Sequence, residues 1–215
     1  VTEYDINHAY GLYGWETRHD VIAKVIATLK FADEDKLRSL MQRLISGLNP
    51  TLYMERETAI AIATNDMGID RLSDSSDQIA LYRQLIDVVP GERTPRRRLI
   101  RLLLNLGELD EAEREINSAR RDVGEDNIIM RYRSSLALRR ADAMVTLLDE
   151  DRYAMLQEAE RLARKCIEDR PTDRYNYRAL ADVGLAFAEK FDEFALLEEA
   201  ISLMANIESE VGDPD

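Results

Sequence analysis

The chain has 215 residues, 45% of them apolar, and a formal net charge of −13. That length and apolar fraction suit one compact domain or one short solenoid with a packed core. So negative a charge excludes broad nucleic-acid binding, which needs many phosphate-neutralising cations, and it excludes docking on an anionic membrane surface.

The acidic start, Val1-Thr2-Glu3-Tyr4-Asp5, lacks the basic and apolar regions of a signal peptide and carries no initiator Met. The expectation is that the chain is a piece of a longer protein. Tyr10-Gly-Leu-Tyr-Gly-Trp-Glu-Thr17 is the only stretch with a strand signal, aromatic and interrupted by two glycines. One short segment cannot bury Tyr10, Leu12, Tyr13 and Trp15 by itself, so self-association through this N-terminal segment is expected.

From there the apolar residues recur at helical spacing. Val21, Ile22, Val25, Ile26 and Leu29 form one stripe, and Leu37, Leu40, Met41, Leu44, Ile45 and Leu48 the next. Asn49-Pro50 reads as an N-cap with Pro at the first helical position, opening a helix through Thr64, and Thr94-Pro95 as a second such start. Later stripes are Ile79, Tyr82, Leu85, Ile86; Leu99, Ile100, Leu103, Leu106; and Ala112, Ile116, Ala119. Gly107, Gly124 and Pro171 stand where helices should stop. No apolar run approaches the roughly 20 residues of a membrane span. Cys166 is the single cysteine, so no intrachain disulfide forms, and a reducing cytoplasm is the expected location.

Three stretches align on their ends: Gln78 to Pro90, Ala112 to Gly124, and Ala159 to Pro171. Each has a packing residue four positions on, another three further, and a helix breaker five beyond that. The first two registers lie 34 residues apart, and the next step is 47, one period plus about 13 inserted residues. These stretches resemble the second helix of a tetratricopeptide (TPR) repeat, with alanines where helices cross closely and Pro at the exit. Gly107-Glu-Leu109-Asp-Glu-Ala112 resembles the turn of that family. Tyr175 to Ala188 resembles a first helix, with Leu180, Ala181 and Gly184 at packing positions. Arg96 and Ile100 depart from the pattern, standing where Trp or Leu and a small residue are usual. The resemblance implies an all-α fold, a TPR-like α-solenoid of antiparallel helical hairpins over residues 49–212. A short β-like segment and one helical hairpin precede it in residues 1–48, a remnant of a winged-helix or linker region. The competing reading is an irregular helical bundle. Either way, one amphipathic hairpin cannot bury its own stripe, and stacked hairpins can.

No catalytic constellation stands out. There is no glycine-rich phosphate loop, no His-Glu-x-x-His, no paired cysteines and no nucleophile elbow, so no enzyme activity, cofactor or metal is expected. The acidic triplets Asp33-Glu-Asp35 and Asp149-Glu-Asp151 lack calcium-loop spacing and read as helix starts favoured by the macrodipole. The arginines carry more information: 24 of the 29 basic residues are Arg. With first helices starting at Arg93, Asn127 and Arg174, the fifth position is Arg97, Arg131 and Arg178, and Arg101 lies one turn beyond Arg97. A guanidinium fork suits a carboxylate or phosphate. Arg97, Arg101, Arg131 and Arg178 are therefore candidate partner-binding residues for an acidic or phosphorylated protein segment. The alternative is internal pairing with neighbours such as Glu108, Glu111 and Asp182.

Trp15-x-x-Arg18-His19-x-x-Ile22-Ala23 resembles an element of prokaryotic STAND-type P-loop NTPases that lies near the end of the winged-helix region, before C-terminal helical repeats. The resemblance implies the sensor end of a signalling ATPase of bacterial defence type, with Arg18 and His19 near nucleotide in the full-length protein. His19 has a plainer reading as a helix-start residue with a local hydrogen bond. The alternative to a sensor module is a free-standing TPR adaptor that binds peptide segments.

Overall fold

In this computed structural model the backbone is described for residues 2–7, 12–16, 33–64, 68–143 and 149–211, and side chains for 33–64, 68–143 and 149–206. Tyr10, Arg18, His19, Ile22 and Ala23, and the side chains of Leu12, Tyr13 and Trp15, lie outside the described residues. The class is all-α. Nine α-helices are present among the described residues, with two short strands ahead of them. The chain divides into two compact units, Val1–Val88 and Val89–Asp215.

In the first unit, β1 (Thr2–Asn7) pairs antiparallel with β2 (Leu12–Glu16), which falls inside the aromatic stretch that carries the strand signal. Helix α1 (Glu34–Gly47) buries Leu37, Met41 and Ile45, three members of one predicted stripe. Asp33 caps it by accepting the Lys36 N–H at 3.3 Å, so the acidic triplet is a helix start. Helix α2 (Tyr53–Thr64) begins later than the Asn49-Pro50 signal suggested. The Asn49 side chain closes a local turn instead, accepting from the N–H and hydroxyl of Thr51 at 3.1 and 2.7 Å. A short 3₁₀ turn (Ile69–Arg71) leads to α3 (Ser75–Val88).

Helix α1 is tied to the α3 region. Arg38 pairs with Asp77 at 3.0 Å, Ser73 Oγ donates to Glu34 at 2.7 Å, and Gln84 Nε2 donates to Ser46 Oγ at 2.8 Å. Those bonds join α1 to α3 within the unit Val1–Val88.

The second unit holds three hairpins: α4 (Arg93–Leu106) with α5 (Leu109–Asp122), α6 (Asn127–Ala143) with α7 (Asp149–Asp169), and α8 (Arg174–Phe191) with α9 (Ala195–Val211). The first helices begin at Arg93, Asn127 and Arg174, as the register predicts. Thr94-Pro95 does not itself open α4. The helix starts at Arg93, and Pro95 lies within its first turn, where a missing N–H is tolerated. Gly107 ends α4 at φ 77°, a left-handed conformation that a Cβ would strain, and its N–H returns to Leu104 O at 3.2 Å. The extra residues in the second interval lengthen helices: α6 and α7 run to 17 and 21 residues, against 14 each for α4 and α5.

Consecutive helices pack from α4 to α9, and first helices also pack on first helices, α4 on α6 and α6 on α8. Ala112, Ala119, Ala159 and Ala163 are fully buried, as the small-residue register requires. Among the described glycines the closest approach is at Gly184: a Cβ there would sit 2.7 Å from the backbone nitrogen of Leu197, so α8 and α9 cross closely there. Ser134 is buried too and donates to Ala159 O at 2.7 Å, joining α6 to α7.

Candidate partner-binding face

The site is built on the starts of the first helices. Asp126 precedes α6, and its Oδ1 accepts the N–H groups of Ile128 and Ile129, both at 3.0 Å. Asp173 caps α8 by accepting the Tyr175 N–H at 3.0 Å. An anion is favoured there because the first N–H groups of a helix lack intrahelical partners and the dipole is positive at that end.

Each of these aspartates also receives an arginine from the preceding first helix. Arg97 of α4 reaches Asp126 at 2.5 Å, with Arg93 on the same oxygen at 3.1 Å. Arg131 of α6 reaches Asp173 at 3.3 Å and Asn176 Oδ1 at 3.2 Å, with its guanidinium 5.4 Å from the Tyr175 ring centroid. One motif thus recurs at two successive hairpin junctions: the fifth-position arginine neutralises the cap of the next first helix. Burial pushes the Asp126 carboxyl up, but the Ile129 N–H and the Arg97 and Arg93 guanidinium groups outweigh it and hold the carboxyl below the usual aspartate value.

The candidate arginines therefore have different fates. Arg97 and Arg131 are partly buried in ion pairs, and their partners are Asp126 and Asp173, not the Glu108, Glu111 or Asp182 that proximity in sequence suggested. Glu111 pairs with Arg114 at 3.6 Å. Arg101 is exposed. Arg178 is exposed on α8, with its charge acting on Asp182 one turn further along. Burial raises the Tyr132 phenol above its ordinary value, and the charges of Arg101, Arg131, Arg97 and Arg98 pull against that rise. Three of the four candidates, with Arg98, thus act electrostatically on one half-buried phenol, which keeps its proton and can donate it in a hydrogen bond to an anion.

Other arginines on these helices serve the fold. Arg140 reaches Glu113 at 2.8 Å and Asp110 at 3.1 Å, and Arg133 reaches Glu125 at 2.7 Å. Arg96, the departure from the apolar pattern, is buried at 5% exposure and satisfied by Asp122 at 2.8 Å and by Pro90 O and Ser118 Oγ at 3.4 Å. Two features escaped sequence reading. Asn127 and Asn176 both donate to the Cys166 carbonyl at 2.8 Å, a buried polar node joining the starts of α6 and α8 to α7. The Cys166 thiol lies in that node, pushed up to about 11 by burial, so at neutral pH it is protonated and weakly nucleophilic. A groove of ≈ 500 Å³ also opens between α5, α6 and α7, with Ile116, Leu136 and Leu162 on its floor and Arg140 at its rim. Its only sequence signal is the inserted length in α6 and α7.

No group of three or more His, Cys, Asp or Glu suited to a metal ion occurs among the described residues. No helix among them is long and apolar enough to cross a membrane. Compared with protein-family models, with curated proteins and with solved structures, the chain matches none.

Proposed function

We propose that this chain is a protein-binding scaffold, a TPR-like α-solenoid of antiparallel hairpins working in the cytoplasm. One observation carries the reading: first helices pack on first helices, α4 on α6 and α6 on α8, while each hairpin packs on the next. That pattern leaves a row of first-helix residues on a shared face, where an extended segment of a partner can lie. The partner is acidic or phosphorylated. Its anionic groups meet Arg101, whose charge also acts on Tyr132, on the row of first helices that carries the paired Arg97 and Arg131.

The run Trp15 to Ala23 supports a wider assignment: the sensor or interaction end of a larger STAND-type signalling ATPase of bacterial defence type, with Arg18 and His19 turned to nucleotide in the whole protein. An open reading frame that continues upstream into a glycine-rich phosphate loop is the expected finding. An initiation codon immediately before Val1 would assign the chain to the free-standing adaptor class instead.

The binding claim is tested by panning a random peptide library against the protein. Selected peptides should be rich in Asp and Glu, release with rising salt as exposed charges are screened, and lose affinity for Arg101→Glu while that variant keeps its helical far-UV spectrum. Peptides with no acidic bias, or full binding to Arg101→Glu, would refute it.

A further inference from the structure

Equivalent positions on the three first helices are treated unequally by the fold. The fifth-position arginines Arg97 and Arg131 each end on an aspartate of the next hairpin. The twelfth-position leucines behave alike: Leu104 is 3% exposed, and Leu138 is packed against the core that contains Val183 and Phe187. On α8 the same two positions are open. Leu185 is 47% exposed, and Arg178 is exposed with no hydrogen bond or ion pair among the described residues. At two junctions a guanidinium meets a carboxylate of the next hairpin, with a covered leucine two turns along, whereas both positions are exposed on the third first helix.

The exposed stripe of α8 has a further property. Tyr175, Arg178, Asp182 and Leu185 follow one another at spacings of three, four and three residues, so they share one helix face, and all four are exposed. Read forwards the stripe is apolar, basic, acidic, apolar. Read backwards it is apolar, acidic, basic, apolar. A second α8 laid antiparallel, crossing midway between Arg178 and Asp182, meets it with every residue matched. Self-complementarity of this kind is what a two-fold interface demands, because residue i touches j and j touches i.

We propose that this face is a self-interface: α8 of one copy packs antiparallel on α8 of a second copy, with reciprocal Arg178–Asp182 ion pairs flanked by Tyr175 against Leu185. The second copy supplies at α8 the carboxylate that Asp126 and Asp173 supply to α4 and α6. A contact centred on one pair of helices is small beside a standard interface, so the dimer is weak and reversible. This contact adjoins the face around Tyr132, because Tyr175 lies against Arg131, and the two are tested by different residues, Arg178 and Asp182 here and Arg101 there.

Sedimentation velocity over a concentration series decides the matter. The natural chain should show a monomer–dimer equilibrium that weakens in high salt. Arg178→Asp alone and Asp182→Arg alone each place like charges opposite one another across the axis and should weaken association about tenfold or more. The double variant Arg178→Asp/Asp182→Arg restores the opposite-charge pairing and should regain the dimer. Both substitutions are at exposed positions, and unchanged far-UV spectra establish that each of the three variants is folded. A natural chain that stays monomeric throughout, a single variant that dimerises like the natural chain, or a double variant that fails to recover each overturn the proposal.

Discussion

The interior of the hairpins is held by apolar packing, and the junctions between them add ion pairs to it. Inside the hairpins, small residues let helices approach closely: Ala112 and Ala159 are fully buried, and Gly184 lies against the backbone of Leu197. At the junctions, the ion pairs Arg97–Asp126 and Arg131–Asp173 add charge to apolar packing such as Ala163 against Leu180. Added volume should therefore be felt most in the interior, and salt and pH most at the junction ion pairs.

The largest effect should come from adding volume where the approach is closest. Gly184→Leu must force α8 and α9 apart, since even a Cβ would sit 2.7 Å from Leu197 N. The expected loss is about 3 kcal/mol, at the upper end of overpacking costs, read as a lower urea midpoint with most helical signal retained below it. A midpoint equal to the natural chain's would mean that the α8–α9 crossing is looser than described. Ala112→Leu and Ala159→Leu should each cost about 1–3 kcal/mol and lower the melting temperature by several degrees, and unchanged melting for both would break the register.

Arg96 lies between the two chemistries, a charge in an interior position. Arg96→Ala should cost about 1–2 kcal/mol by leaving a void and stripping Asp122 and Pro90 O of a donor. Arg96→Leu should cost clearly less, because a well-packed apolar residue commonly replaces a buried ion pair without loss. Equal losses from the two variants would show that the charge, and not the volume, is what the position needs.

How much of this was legible in the sequence follows the same division. Packing has a local spacing, so Ala112, Ala159, Leu180 and the helix starts at Arg93, Asn127 and Arg174 could be placed from the register. Pairing has none. Arg97 meets an acid 29 residues away and Arg131 one 42 residues away, so both looked like free recognition residues. Nearby acids such as Glu108 and Asp182 were the only partners a linear reading could offer. The turn at Asn49 was misplaced because an Asn-Pro pair serves equally as a helix cap and as a turn, and only the Thr51 hydrogen bonds distinguish them.

The smallest effect is a pH dependence. The Asp126 carboxyl is held below its ordinary value in the folded protein. Its contribution is therefore complete above the unfolded aspartate value near 3.9 and fades as pH falls through the lower folded value. Asn is a competent helix cap, so Asp126→Asn removes chiefly the arginine pairing. Urea midpoints of the natural chain and this variant should differ by a constant amount from about pH 5 to 8 and converge below about pH 4. A gap that persists undiminished at low pH would mean that the carboxylate charge is not what stabilises the junction.

The most direct test of the account is a pair of double-mutant cycles, Arg97→Ala with Asp126→Ala and Arg131→Ala with Asp173→Ala, followed by urea denaturation. If the two junctions are repeats of one device, both cycles should give a favourable coupling of similar size, about 0.5–1.5 kcal/mol for partly buried pairs, and both should shrink in high salt. Zero coupling at either junction would contradict the claim that these arginines join successive hairpins.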